Sequence, residues 1–129
     1  MNRSTIIIWL LVCAAVDVAY AQLPPPPPPD APPIVEAVGC LSQTGSNWVL
    51  VNATDPAPAM TSFTTPEAVK AAGEKPLGTQ QYRLLGTSPF SPEGHKGHKI
   101  VVKGILIKSG GESRINLTSF QMLAATCAK

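Results

Sequence analysis

Two histidines three residues apart are the side chains of this sequence best suited to chemistry. They sit in Gly94-His95-Lys96-Gly97-His98-Lys99, where Gly-His-Lys occurs twice. Imidazole nitrogens are ligands for zinc and copper, so His95 and His98 in one loop are expected to be able to share such an ion. Tight copper capture by Gly-His-Lys requires a free terminal amine, which an internal copy lacks, and the sequence holds no third histidine. The competing reading is structural: Gly94 and Gly97 shape a turn, and the histidines hydrogen-bond the neighbouring strand ends. A second group is Trp48, Tyr82 and Arg83, an aromatic pair beside a cation, a combination that can stack on a sugar or a base. For Trp48 the alternative is a place in the core of a small domain.

Catalysis needs more than these groups offer. A nucleophile with its base, a pair of carboxylates, or a metal with open coordination is the minimum. Here the acidic residues are scattered through loop-like stretches and both histidines lie together. The expectation is a non-catalytic protein without a cofactor. Asn52-Ala53-Thr54 and Asn116-Leu117-Thr118 match the glycosylation acceptor pattern, which has meaning only in a eukaryotic secretory pathway.

The remaining cysteines depend on where the chain goes. Arg3 in a short polar start, an apolar run over residues 6–16, and Ala19-Tyr20-Ala21 before Gln22 form the three parts of a secretory signal, with cleavage expected after Ala21. The apolar run ends at Asp17 and falls short of the roughly 20 residues that span a bilayer, so no stable membrane span is expected after cleavage. Cys13 leaves with the signal. Cys40 and Cys127 then stand alone in an oxidising compartment, periplasmic or extracellular, and a disulfide between them follows.

The elements that must position these groups begin after a spacer. Of the 14 prolines, eight fall in residues 24–33, where they exclude a helix or a central strand and leave an extended polyproline rod. This divides the chain into a signal peptide (1–21), a proline-rich spacer (22–33) and a folded domain (34–129). With 44% apolar and 14% charged residues the chain as a whole has a globular composition, and its net charge of +2 is too small to draw a phosphate backbone, so nucleic acid is not an expected partner.

Within the domain the β-rich runs dominate. Ile34-Val35-Glu36-Ala37-Val38-Gly39-Cys40-Leu41 reads as a first strand, with Gly39 suggesting a bulge or bend. Residues 43–47 form a turn, and Trp48-Val49-Leu50-Val51-Asn52, apolar on both faces, is a second strand. Thr65 as N-cap, Pro66, Glu67 and then Gly73 mark a short helix in an insertion. Gln80-Gln81-Tyr82-Arg83-Leu84-Leu85 alternates, with Tyr82 and Leu84 on one face and Arg83 and Leu85 on the other. The last two runs flank Ser109-Gly110-Gly111-Glu112 and read as a long hairpin. Gly104 inside the fourth run signals sharp bending. In the fifth, Ile115 and Leu117 differ in parity from Phe120 and Met122, and a bulge near Thr118-Ser119 would reconcile them.

Five strands, one bent, with a helical insertion predict an all-β domain, a small five-stranded OB-like barrel. Val38-Gly39-Cys40-Leu41-Ser42-Gln43-Thr44-Gly45-Ser46, Gly78-Thr79, Tyr82-Arg83-Leu84-Leu85, Gly97-His98-Lys99, Lys103-Gly104 and Asn116-Leu117-Thr118-Ser119, with the terminal Cys127, carry a resemblance. On these residues the chain, over positions 35–127, resembles a family of secreted bacterial small-barrel proteins of unknown function, and in strand order it is similar to bacterial periplasmic OB-fold proteins. The resemblance implies fold and compartment, and brings no catalytic or binding residues. The function expected is an exported, non-catalytic small-barrel module that binds an envelope or extracellular ligand or serves as an envelope-structural domain, with metal binding through His95 and His98 as the alternative.

Overall fold

A computed structural model describes residues 33–127. The expected signal peptide (1–21), all but the last residue of the expected spacer (22–33), and residues 128–129 lie outside the described residues.

Alternating apolar residues and tight turns produce six strands: β1 (Ile34–Thr44), β2 (Asn47–Ala53), β3 (Ala57–Pro58), β4 (Gln80–Leu85), β5 (Lys99–Ser109) and β6 (Glu112–Ala124). Five of them form a ring. β1 pairs with β2, β2 with β4, β4 with β6, β6 with β5, and β5 again with β1; β4 and β6 run parallel and every other pair is antiparallel. β3, which sequence reasoning missed, adds two residues to the edge of β1.

The ring closes because β1 serves two partners in succession. Its first part faces β5, from Ile34 opposite Ile105 to Cys40 opposite Lys99, and its last part faces β2, from Cys40 opposite Val51 to Thr44 opposite Asn47. Gly39 makes no bulge, since its pairing with Ile100 is in regular register. A Cβ there would lie 2.7 Å from the Leu50 side chain, so the glycine answers to a close approach across the core. Alternate residues of each strand fill the interior, with one change of phase in β6: Leu41, Trp48, Leu50, Tyr82, Leu84, Ile100, Val102, Ile115 and Phe120 are buried together.

The β5–β6 hairpin turns at Gly110 and Gly111, whose φ values of 58° and 80° are the left-handed pair that a two-residue turn of this hand demands. Along the hairpin, Lys103 faces Ser119 while Gly104 faces Leu117, which leaves Thr118 as an extra, exposed residue. This is the bulge that the parity change in β6 predicts. Past it Phe120 turns inward, but Met122 remains 45% exposed. Opposite the bulge Gly104 is buried, and a Cβ on it would run into the Asn116 carbonyl.

The insertion after β2 covers the outside of β1, β5 and β6. Its helix α1 (Pro66–Gly73) starts as expected, with Thr65 Oγ1 accepting from Ala68 N at 3.2 Å, Pro66 in the first turn and Glu67 at the positive end of the dipole. Glu74, in a right-handed conformation, caps the other end, so Gly73 ends the helix without a left-handed turn. Lys99 reaches over to donate to the carbonyls of Gly73 (3.1 Å) and Lys75 (2.7 Å), which places a cation at the helix C-terminus. Ala72 packs on Val38, Val101 and Leu123 in a small second core. Beside it, buried Lys103 donates to the Phe63 carbonyl at 2.7 Å, and Ser119 shares a 2.8 Å hydrogen bond with Thr64.

Cys40 and Cys127 form a disulfide with Cα atoms 5.7 Å apart. The bridge does not join adjacent strands: β5 lies between β1 and β6. Ala124, at the end of β6, pairs with Lys99, whose other neighbour is Cys40, and the short tail that follows brings Cys127 across to it.

Candidate functional site

The outer face of β2 and β4 carries a groove of about 550 Å³. Three parts of the chain meet there. Strand parity sends Trp48, Leu50, Tyr82 and Leu84 inward, so the residues between them point out: Val49 forms a buried apolar floor, with Arg83 directly opposite on β4 and Gln81 on the same side. The β1–β2 turn supplies Thr44 and Asn47 as one wall. The β5–β6 turn supplies Gly110, Gly111, Glu112 and Ser113 as the other.

Arg83 ties the two walls together. One terminal nitrogen donates to Asn47 Oδ1 at 2.9 Å, and the other lies 3.9 Å from Glu112 Oε1. The second oxygen of Glu112 accepts a hydrogen bond from Arg114 Nε at 2.8 Å, so one carboxylate stands between two guanidinium groups. All of these side chains are half-buried or exposed, and water competes for every contact. The site is therefore rich in amide, hydroxyl and guanidinium groups that a polar ligand can engage by exchanging them for water.

The three residues that sequence reasoning grouped as a stacking site are not on one surface. Trp48 and Tyr82 are core residues, 8% and 2% exposed, while Arg83 is on the opposite face of the same strands. Tyr82 uses its hydroxyl internally, donating to the Thr54 carbonyl at 3.0 Å. Burial raises its pKa above the usual tyrosine value, and the charge of Asp55 pushes in the same direction. Of the three, Arg83 alone reaches the groove.

His95 and His98 lie elsewhere, on the connection between β4 and β5. This connection makes two single 3-10 turns, Ser88–Phe90 and Pro92–His95, before β5 begins. Their Nδ1 atoms are 3.3 Å apart and the rings meet edge to face. Among the described residues, no group of three or more His, Cys, Asp or Glu side chains is placed to hold a metal ion. No family model, curated protein or solved structure matches this chain.

Thr44, Asn47, Gln80, Gln81, Glu112 and Ser113 are groove residues that sequence reasoning did not single out. The available signal was the pairing of Asn47 and Glu112 with turns. Both are the first strand residue after a tight turn, and in a closed ring two such turns can meet over a shared strand.

Proposed function

We propose that this chain is an exported, non-catalytic binding module, that its five-strand ring is an OB-like barrel, and that its ligand is a neutral or weakly anionic glycan of the envelope or the extracellular medium. The observation that carries the reading is the position of the groove. In OB-folds the second and third ring strands, with the loops joining strands 1–2 and 4–5, form the usual ligand face. β2 and β4 are the second and third ring strands here, and the β1–β2 and β5–β6 turns are those loops; all four line the groove. The ring order, with its parallel β4/β6 pair, agrees with the same topology.

The ligand class follows from the lining. Asn47, Gln80, Gln81, Thr44 and Ser113 offer amide and hydroxyl donors and acceptors that suit the hydroxyls of a sugar, and Arg83 adds a cation. Stacking of bases wants exposed aromatic rings, and Trp48 and Tyr82 face the core. For the compartment, the Cys40–Cys127 disulfide is compatible with export, as is the lack, among the described residues, of a helix long and apolar enough to cross a membrane.

The test is titration of the ¹⁵N-labelled protein, produced with its disulfide, with soluble cell-wall and extracellular oligosaccharides. Amide shifts are expected at Asn47, Gln81, Arg83 and Ser113, and Arg83→Ala should weaken binding roughly ten-fold or more, the usual worth of a charged hydrogen bond. Saturable shifts confined to another face would overturn the assignment. Cleavage of the glycan would replace a binding module with an enzyme.

A further inference from the structure

The geometry points to a two-histidine chelate for Zn²⁺ at His95 and His98, a site separate from the groove and independent of the glycan reading. The Nδ1 atoms are 3.3 Å apart. Two nitrogens bound to zinc at about 2.0–2.1 Å and at a tetrahedral angle lie about 3.3–3.4 Å from one another. A right-angled, tetragonal arrangement of the kind Cu²⁺ prefers would bring them to about 2.8–3.0 Å. The observed bite therefore fits the tetrahedral ion. At this distance the two nitrogens also make a long hydrogen bond, which the ion would replace.

The backbone brings the two histidines together before any ion arrives. Pro92 is fully buried at the start of the turn that ends in His95. Gly97, at φ 82°, reverses the chain, and His98 N donates to the His95 carbonyl at 3.0 Å, so residues three apart face one another. β1 clamps this turn from the side: Gly97 N donates to the Leu41 carbonyl at 2.9 Å, and Leu41 N donates to the His98 carbonyl at 3.0 Å. The His95 ring rests against Phe120, 5.4 Å between centroids. Binding an ion then costs little additional ordering of the ligands.

The described residues supply these two ligands and no third His, Cys, Asp or Glu. Two positions of the tetrahedron are left to water or to a donor from outside the described residues, so the ion exchanges readily and stays open to a further carboxylate or imidazole. The residues do not reach the groove lining. Loss of metal binding and loss of glycan binding are thus separable.

The test uses the oxidised protein with Zn²⁺ and, as a spectroscopic substitute, Co²⁺. One ion per chain is expected by calorimetry, with the visible bands of tetrahedral Co²⁺, and Zn²⁺ should move the ¹⁵N resonances of both Nδ1 atoms in the wild-type protein. His95→Gln and His98→Gln should each abolish the uptake while leaving the far-ultraviolet circular dichroism at 20 °C and the Arg83 amide resonance unchanged. Uptake that survives either substitution, or Nδ1 resonances that do not respond at millimolar Zn²⁺, would overturn the chelate and leave the pair as part of a hydrogen-bonded turn.

Discussion

Reducing the Cys40–Cys127 disulfide should lower the melting temperature by about 9–18 °C without opening the ring. The bridge spans 87 residues of sequence. Closing a loop of that length removes about 4.6 kcal/mol of denatured-chain freedom in the chain-entropy relation. At about 4 °C per kcal/mol for a domain near 100 residues, the full amount gives about 18 °C, and half of it, a common yield, gives about 9 °C. The ring itself is closed by backbone pairing of β1 with β2 and β5, and the bridge pins only the tail beyond β6. Far-ultraviolet circular dichroism at 20 °C should therefore be the same with and without reductant, while the melting curves separate. Cys40, buried, should alkylate more slowly after reduction than half-buried Cys127. A shift smaller than about 3 °C would refute the loop-closure reasoning, since less than about 1 kcal/mol would then have been lost. Loss of β signal at 20 °C would instead show that strand pairing alone does not hold the ring.

Two further substitutions probe the ring. Gly104→Ala should destabilise by about 1–3 kcal/mol or more in urea unfolding, because the new methyl meets Ile115 Cγ2 at 2.7 Å as well as the Asn116 carbonyl; Gly94→Ala, with nothing within 4 Å, is the neutral control. An equal midpoint for the two variants would contradict the close approach of β5 and β6. Tyr82→Phe should cost about 1 kcal/mol at neutral pH through the lost bond to the Thr54 carbonyl. Because the folded pKa of Tyr82 is raised, its contribution is fully present below the unfolded value of about 10 and is lost as pH climbs through the folded one. Unfolding measured between pH 9 and 11.5 should show this alkaline loss in the wild type and a shallower one in the variant.

Local rules made much of the fold legible. Thr65-Pro66-Glu67 announced α1, Gly110-Gly111 announced the hairpin, and the parity change between Leu117 and Phe120 announced the bulge at Thr118. Each of these is a property of a few consecutive residues. β3 escaped notice because two residues containing a proline carry no periodicity. The Cys40–Cys127 pairing was legible, but not that the bridge reaches across β5, because pairing order is a long-range property. The site was less legible for the same reason. Parity places Tyr82 and Arg83 on opposite faces from sequence alone, and that should have separated Arg83 from the aromatic pair. That Asn47 and Glu112 meet over Arg83 depends on the ring closing, which no local pattern states.

The divided pairing of β1 also sets an order on folding. As the chain appears from its N-terminus, the β1–β2 hairpin can form at once, since its two strands are joined by a tight turn. The first half of β1 gains only the two residues of β3 on one edge; its long partner on the other edge, β5, follows only after β2, the insertion and β4 have been made. Until then an apolar edge containing Val35, Ala37 and Val38 presents unpaired amides and carbonyls, the surface on which chains aggregate. Cys40 sits where the two halves of β1 meet, so its thiol can be covered only when both partners are present. A thiol that is oxidised before β5 arrives has no native partner within reach, and native oxidation of this protein should coincide with the last step of folding.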